Sequence, residues 1–204
     1  MSISVVIWDF GGVLVRTEDL QPRQALAERL KLTREELEER VFGGDSGGQA
    51  QRGEISVEAH WQNVGRMFDL DERGMQEFQA QFWGGDRLDE QLVVYLRSLR
   101  RSHKLGLLSN AFGDLRAYLN AVWKIADAFD DLLISAEVGL VKPDPAIYQL
   151  ALQRLGAQPY QAVFIDDMPA NVEGASRVGM HAIRFINPGQ TRAELEALFD
   201  GVKE

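Results

Sequence analysis

The sequence predicts an α/β fold with a mostly parallel, doubly wound sheet and one helical insertion. Five short apolar runs have the length and composition of buried parallel strands. They lie at residues 3–8, 105–108, 132–134, 162–165 and 182–186. Segments with helical spacing alternate with the later runs, and this alternation is typical of a parallel sheet covered by helices.

The helices predicted between and after these strands have recognisable ends. They are expected at residues 89–99, 145–155, 171–178 and 191–199. Pro145 suits a first helical turn, and Gly156 and Gly179 follow the last periodic residues of two helices. Thr191 and Glu194 have the spacing of a capping box, which places the start of the last helix at Thr191.

Residues 16–85 interrupt the alternation of strands and helices. Their helix-forming stretches lie at 20–30, 34–41, 57–68 and 75–83. The segment contains no convincing strand, and its glycine-rich stretch 43–48 is predicted to be a loop. The expected domains are therefore a core of residues 1–15 and 86–204 and an inserted helical domain of residues 16–85.

The composition limits the partners and the chemistry of the chain. It has 31 acidic against 22 basic residues, a net charge of −9 and no cysteine. The acidic charge argues against non-specific binding to nucleic acid, and no apolar run reaches the roughly 18 residues of a membrane span. A metal would need oxygen ligands or one of the three histidines. The missing cysteines and the lack of signal-peptide features favour a cytoplasmic location.

Polar side chains with catalytic potential directly follow the predicted strands. Because open α/β sheets bind ligands beyond the carboxyl ends of their strands, these positions form the candidate site. They are Asp9, Ser109, Asn110, Asp166 and Asp167, together with Lys142 in a loop between glycine and proline residues. Each also has a purely structural interpretation: a turn or helix cap for the aspartates, serine and asparagine, and a solvated surface position for the lysine.

Taken together, these residue types favour phosphoryl transfer. Asp9 can act as a nucleophile, a metal ligand or both. Ser109, nearby backbone N–H groups and Lys142 can hold phosphate oxygens and neutralise their charge. The adjacent carboxylates of Asp166 and Asp167 suit Mg²⁺, which prefers hard oxygen ligands, and Asn171 can hydrogen-bond in the same shell.

Four ordered motifs resemble the haloacid dehalogenase-like (HAD) hydrolase superfamily. They are Asp-Phe-Gly-Gly-Val at 9–13, Leu-Ser-Asn at 108–110, Gly-Leu-Val-Lys-Pro-Asp at 139–144 and Phe-Ile-Asp-Asp-Met-Pro-Ala-Asn-Val-Glu-Gly-Ala at 164–175. Within the superfamily, the chain is most similar to the helical-cap phosphatase branch, including bacterial glucose-1-phosphate phosphatases and the amino-terminal phosphatase domain of soluble epoxide hydrolases. The resemblance implies a Rossmann-like core and an α-helical cap inserted after the first motif.

The resemblance also implies a function for each strand-end residue. Asp9 would attack phosphorus, and Mg²⁺ would be the cofactor. The implied metal ligands are Asp9, the backbone carbonyl of Gly11, Asp167 and, directly or through water, Asp166. The implied contacts to the phosphoryl group come from Ser109, the backbone of Asn110, Lys142, Gly11 and Gly12.

One position departs from the superfamily pattern. Typical phosphatases of the superfamily carry an acid–base aspartate two residues after the nucleophile, where this chain has Gly11. Losing such a group costs about 10²–10⁴ in rate. The loss is smaller for a low-pKa leaving group, which an anomeric sugar oxygen is relative to an ordinary alcohol.

The expected cap offers weaker candidates. Arg16, Arg52 and Trp61 could contact the substrate, but solvated arginines and a tryptophan packed between helices explain the same residues. The histidines have no metal-ligand spacing and receive no function: His60, His103 and His181.

The favoured function is Mg²⁺-dependent hydrolysis of a small phosphomonoester, for example a sugar phosphate, through an aspartyl-phosphate on Asp9. A metal-free 2-haloacid dehalogenase would use the same aspartate on carbon, but the pair Asp166 and Asp167 argues against it. A non-catalytic module that binds a phosphate ligand is the third hypothesis, because Gly11 lacks the acid–base group.

Overall fold

A computed structural model describes residues 2–201 of the chain. Its seven strands within that range are β1 (Val5–Trp8), β2 (Val15–Thr17), β3 (Asp86–Leu88), β4 (Lys104–Ser109), β5 (Asp131–Ile134), β6 (Ala162–Asp166) and β7 (His181–Arg184). The five longer strands form one parallel sheet in the order β5-β4-β1-β6-β7. This sheet confirms the predicted α/β fold and all five of its predicted strands.

The described residues also form eleven α-helices. They are α1 (Gln21–Arg29), α2 (Arg34–Glu38), α3 (Asp45–Gln51), α4 (Val57–Met67), α5 (Glu72–Trp83), α6 (Glu90–Leu99), α7 (Leu115–Ala121), α8 (Ser135–Val138), α9 (Pro145–Leu155), α10 (Pro169–Arg177) and α11 (Pro188–Asp200). A π-helical turn lies at Glu39–Gly43, and 3₁₀ turns lie at Ala126–Ala128 and Pro159–Gln161. Across residues 2–201, no helix has both the length and the apolar character that crossing a membrane requires.

The parallel sheet is buried on both faces. Successive side chains of a strand point to opposite faces, so Val6 and Trp8 pack with α6, α7 and α11, whereas Val5 and Ile7 pack with α9 and α10. None of these four residues is more than 1% exposed. Two-sided burial explains why β1 is a continuous apolar run, and it restricts polar side chains to the end of the strand.

The helices between β2 and β3 have an apolar cluster of their own. Leu26, Leu37, Val64, Phe78 and Phe82, from α1, α2, α4 and α5, are fully buried in it. Where the chain leaves the core and returns, β2 and β3 pair as a two-stranded antiparallel ribbon. The expectation of no strand within residues 16–85 is therefore wrong at β2, which the sequence does not reveal because three residues reading Val-Arg-Thr show no apolar alternation.

The glycine-rich stretch 43–48 is not the predicted loop. It contains the end of the π-helical turn and the first half of α3. A Cβ at Gly47 would lie 2.5 Å from the carbonyl oxygens of both Val41 and Phe42. Glycine here allows two backbone segments to pack closely. Composition alone does not distinguish a glycine needed for close packing from a glycine in a flexible loop.

The last helix also begins earlier than predicted. Asn187 is its N-cap and accepts a hydrogen bond from the backbone N–H of Gln190 at 2.9 Å. Pro188 occupies the first turn, and Thr191 is fully buried inside the helix. The capping-box spacing at Thr191 was therefore misleading, because a stronger cap and a first-turn proline lie just before it.

Candidate active site

The strand-end residues from three separate segments meet at one edge of the parallel sheet. β1 pairs with β4 on one side and with β6 on the other. Asp9 directly follows β1, Ser109 ends β4 and Asp166 ends β6. Because these strands are parallel neighbours, their carboxyl ends lie side by side, which is where such sheets bind ligands.

Lys142 joins the carboxylates of this cluster. Its Nζ lies 2.8 Å from Asp9 Oδ1 and 2.7 Å from Asp166 Oδ2, and it donates to the carbonyl oxygen of Leu108 at 3.1 Å. The Lys142 side chain is only 1% exposed. The alternative of a solvated surface lysine is therefore wrong, and the two carboxylates compensate the desolvation of the ammonium group.

Asn110 fixes the loop that carries Lys142. Its Nδ2 donates to the carbonyl oxygen of Lys142 at 2.9 Å, and the N–H of Lys142 donates to Asn110 Oδ1 at 2.8 Å. Gly139, with a φ of 70°, ends α8 in the left-handed conformation and turns the chain into this loop. The sequence predicted only the backbone of Asn110 as functional, because a side-chain pairing across 32 residues leaves no local signal.

The capping interpretations of the other strand-end residues are only partly correct. Asp9 does accept a local hydrogen bond from the N–H of Phe10 at 2.7 Å, as a turn aspartate would. Ser109 is 3% exposed and lies well before α7, whose N-cap position is Asp114. Ser109 and Asn110 therefore do not cap the helix that follows them.

The adjacent aspartates have different surroundings. Asp166 is fully buried and accepts hydrogen bonds from Lys142 at 2.7 Å and from Asn171 Nδ2 at 3.0 and 3.1 Å. Asp167 is partly buried, and its carboxylate lies against Gly12, where a Cβ would come within 2.4 Å of Oδ2. Gly12 also has a φ of 80°, so packing and backbone both require glycine.

A buried tyrosine hydrogen-bonds to the backbone of Asn171. The hydroxyl of Tyr148, which is fully buried, donates to the carbonyl oxygen of Asn171 at 2.8 Å. The sequence predicted only a helix over residues 145–155 and gave no signal that Tyr148 belongs to the site. Its position in α9 follows the apolar pattern of that helix, which conceals the polar contact of the hydroxyl.

Burial controls the protonation of the cluster. Burial raises the pKa of Asp9 to about 7; Lys142 lowers it in part, and the charge of Asp166 adds to the rise. Burial and the neighbouring Asp166 also raise the pKa of Asp167. Burial disfavours the charged form of Lys142, but Asp9 and Asp166 outweigh this effect and raise its pKa. Asp9 and Asp167 therefore resist ionisation unless another positive charge compensates them.

The donor set of the cluster fits a divalent cation. Asp9, Asp166 and Asp167 each offer an oxygen, and these oxygens lie within 4.8 Å of one another. When ionised, the three carboxylates and the single ammonium of Lys142 leave two negative charges, which one divalent ion would neutralise. An oxygen-only set of carboxylates suits Mg²⁺ better than softer transition metals.

The three candidates from the helical segment have contacts elsewhere. Arg16 pairs with Asp89 at 2.8 Å, and Arg52 pairs with Glu54 at 2.6 Å. Trp61 packs edge-on against rings of α5, with a centroid distance of 6.4 Å to Phe78, as the packing interpretation expected. The contacts of these residues do not join them to the carboxylate cluster, so substrate binding by Arg52 stays a prediction.

An aromatic contact links the helical segment to the site. Phe112, three residues after Ser109, lies 4.6 Å from the ring of His60 and 6.3 Å from that of Trp61, measured between centroids. His60 is fully buried, with Nδ1 3.1 Å from the hydroxyl of Ser46. The sequence predicted no function for His60, because nothing local indicates a contact with a distant core loop.

The sheet and its strand-end cluster place this chain among the Rossmann-like α/β proteins. It matches the haloacid dehalogenase-like hydrolase family over residues 3–179, and it therefore belongs to that family.

Two relatives and one solved structure illustrate the similarity. The chain is 30% identical over 205 residues to acyl-CoA dehydrogenase family member 10 of Mus musculus, a match that covers 97% of this chain but 19% of that protein. It thus spans about a fifth of the length of that relative. It is 28% identical over 222 residues to phosphatase MT3486 of Mycobacterium tuberculosis (strain CDC 1551 / Oshkosh), covering 98% of this chain and 99% of that one.

The solved structure is a HAD family enzyme from Bacteroides thetaiotaomicron in complex with magnesium and inorganic phosphate. It superposes with a TM-score of 0.74 at 22% identity and covers 89% of this chain and 93% of that chain. At this level of identity the comparison supports the fold.

Proposed function

We propose that this protein is a Mg²⁺-dependent phosphatase that hydrolyses a small phosphomonoester, with sugar phosphates as the favoured substrates. The observation that carries the proposal is the buried ammonium of Lys142, which lies within 2.8 Å of Asp9 and Asp166 at the edge of the sheet. A carboxylate nucleophile, a fixed cation and further carboxylates for a metal are the groups that phosphoryl transfer requires. The similarity to a phosphatase along nearly the whole chain supports the same activity.

In the proposed reaction, a carboxylate oxygen of Asp9 attacks phosphorus and forms an aspartyl-phosphate. Lys142, the hydroxyl of Ser109 and the backbone N–H of Asn110 hold the phosphoryl oxygens, while Asn110 also keeps Lys142 in place. Water then attacks the phosphorus, releases phosphate and regenerates the carboxylate. Fixed donors of this kind stabilise the charge of the transition state without reorganising during the reaction.

The proposed ligands of Mg²⁺ are Asp9, the carbonyl oxygen of Gly11 and Asp167. Asp166 is already engaged by Lys142 and Asn171, so we assign it mainly to holding that lysine and to supporting the ion through water. When bound, Mg²⁺ supplies positive charge that stabilises the phosphoryl oxygens.

We also propose the division of the chain into a core, residues 1–15 and 86–204, and a cap, residues 16–85. The separate apolar cluster of α1, α2, α4 and α5 and the narrow ribbon of β2 and β3 support this division. The cap would close over the strand ends and exclude water from the reaction. Phe112 gives it a contact beside Ser109, and Arg52 remains the proposed cap residue for substrate.

Phosphate release from a panel of small phosphomonoesters, with Mg²⁺ or with EDTA, tests this function. We expect turnover that requires the metal and is lost in Asp9→Asn. Asp127→Asn is the matched control, because that side chain is 70% exposed and pairs only at the surface with Arg97. Halide release from a 2-haloacid without Mg²⁺ would favour a dehalogenase, and phosphate-ligand binding without turnover would favour a binding module.

A further inference from the structure

The structure distinguishes the two glycines that follow the proposed nucleophile. Gly12 is required by its surroundings, because it has a φ of 80° and a Cβ there would lie 2.4 Å from Asp167 Oδ2. Gly11 is exposed, its φ is outside the left-handed region, and a Cβ there would meet no atom within 4 Å beyond its chain neighbours. Packing and backbone conformation therefore do not explain why residue 11 lacks a side chain.

The open space at Gly11 borders the carboxylate cluster. Asp9 lies two residues before Gly11, and Gly12 on its other side touches Asp167. A side chain at residue 11 would therefore begin in open space, in the short segment between Asp9 and the glycine that contacts Asp167. The chain leaves this position empty although the fold has room for a side chain.

The titratable groups that do meet in the cluster already have other functions. In the described part of the chain, the acidic side chains that come together here are Asp9, Asp166 and Asp167, and Lys142 is the ammonium between them. Asp9 is the proposed nucleophile, Asp167 the proposed metal ligand, and Asp166 is bonded to Lys142 and Asn171. None of them remains to protonate the oxygen that leaves from phosphorus.

We infer, on the basis of the proposed function, that this site is selective for phosphate esters whose leaving group is itself acidic. Substrates of this class release the anomeric hydroxyl of a sugar, an enol or a phenol rather than an ordinary alcohol. The empty position at Gly11 is the feature that sets this selectivity. Among sugar phosphates, the inference favours 1-phosphates over esters of the other hydroxyls.

The reaction balances without a protein acid. In the first step the bond between Asp9 and phosphorus forms, the bond between phosphorus and the leaving oxygen breaks, and that oxygen departs with the electron pair. It takes its proton from water afterwards. In the second step water adds to phosphorus, its proton passes to solvent, and the bond to Asp9 breaks to give phosphate and the free carboxylate. Only leaving oxygens that tolerate negative charge make the first step fast.

A leaving-group series on the wild-type protein tests the inference directly. The measurement is kcat/KM for substituted phenyl phosphates and for alkyl phosphates with Mg²⁺ present, plotted against the pKa of the leaving group. We expect a steep fall as that pKa rises, and a hexose 1-phosphate should be hydrolysed faster than the 6-phosphate of the same hexose. A flat plot, or equal rates for alkyl and phenyl esters, would overturn the inference.

Substitution at residue 11 gives a second, independent readout. Gly11→Asp should raise kcat/KM for alkyl phosphates by about 10²–10⁴, the usual contribution of general acid–base catalysis, and should flatten the plot. Gly11→Asn has nearly the same size but no transferable acid, so its plot should stay steep. Equal gains in both variants would attribute the effect to size and contradict the inference. If Gly11→Asp fails to fold, the plot of kcat/KM against leaving-group pKa for the wild-type protein still tests the inference.

The outcomes separate this inference from the proposed function. Phosphate release with a flat plot would leave the phosphatase proposal intact and remove only the selectivity. A lack of phosphate release from every ester, including activated phenyl phosphates, would remove both.

Discussion

The side chain of Asn110 exchanges two hydrogen bonds with the backbone of Lys142, at 2.9 and 2.8 Å, and so fixes the loop that delivers the buried ammonium to Asp9. The two residues lie on different segments, one directly after β4 and the other after α8. The position of the ammonium that pairs with Asp9 and Asp166 therefore depends on the side-chain amide of another segment. This dependence makes Asn110 a positioning residue.

Asn110→Ala should weaken catalysis without removing any charge from the cluster. We expect kcat to fall by about 10², because small misplacements of a catalytic group cost this much. The lost backbone partners should also lower the free energy of unfolding by about 1–3 kcal/mol. Asn120→Ala is the control, since Asn120 is exposed and its side chain donates only a local bond to the carbonyl oxygen of Arg116 within α7. Unchanged kinetics in a folded Asn110→Ala protein would contradict this function.

Mg²⁺ should stabilise the protein through the carboxylate cluster. An ion that binds only the folded state adds about 2.7 kcal/mol at 100 times its Kd, which thermal unfolding measures as a rise in Tm. Asp167→Asn should remove most of that rise, whereas Asp127→Asn should keep it, because Asp127 lies at the surface. An equal rise in Tm for all three proteins would show that the ion binds elsewhere.

The two glycines after Asp9 should differ in their tolerance of alanine. Gly12→Ala should lower the free energy of unfolding by about 1–2 kcal/mol from the left-handed backbone alone, with a further loss from the contact to Asp167. Gly11→Ala should change it by less than about 0.5 kcal/mol, because the space there is open. Urea unfolding of both variants measures the difference. A larger cost at Gly11 would contradict the described surroundings.

His60 should make stability depend on pH. Burial lowers its pKa, which a hydrogen bond involving Ser46 only partly offsets. The unfolded chain, with a histidine pKa of about 6.5, then binds the proton more tightly than the folded protein. The contribution of His60 to stability is therefore complete above about pH 6.5 and declines as the pH falls from there towards the lowered pKa.

Urea unfolding between pH 7.5 and pH 5 at roughly half-unit steps measures this effect. His60→Phe keeps a ring against Phe112 and should lose less stability than the wild type over that range. His181→Gln removes a histidine from β7 and serves as the control. Parallel curves for the wild type and His60→Phe would contradict the prediction.

The sequence predicted those parts of the site that follow from the geometry of a parallel sheet. Asp9, Ser109 and Asp166 could be found because each follows a buried apolar run, and parallel strands end at the same edge. For Lys142 a solvated surface position was the alternative interpretation, since a lysine in a loop is usually solvated. Its burial depends on Asn110 and on two distant carboxylates, which no local pattern contains.

The elements that sequence could not predict depend on contacts between distant segments. The ribbon strands β2 and β3 are three residues each and are defined by pairing with each other. The helix α3 begins among glycines that pack against the preceding turn. The contact between His60 and Phe112 joins two regions whose proximity only the folded chain establishes.

The most direct test of the proposed mechanism is to trap the phosphorylated protein. Wild-type protein would be mixed with a rapidly hydrolysed phosphomonoester and Mg²⁺, quenched in acid within milliseconds and analysed by peptide mass spectrometry. We predict a phosphoryl group on the peptide that contains Asp9, absent when EDTA is present and absent in Asp9→Asn. Turnover without any phosphorylated peptide, together with activity that survives in Asp9→Asn, would contradict the proposal that Asp9 is the nucleophile.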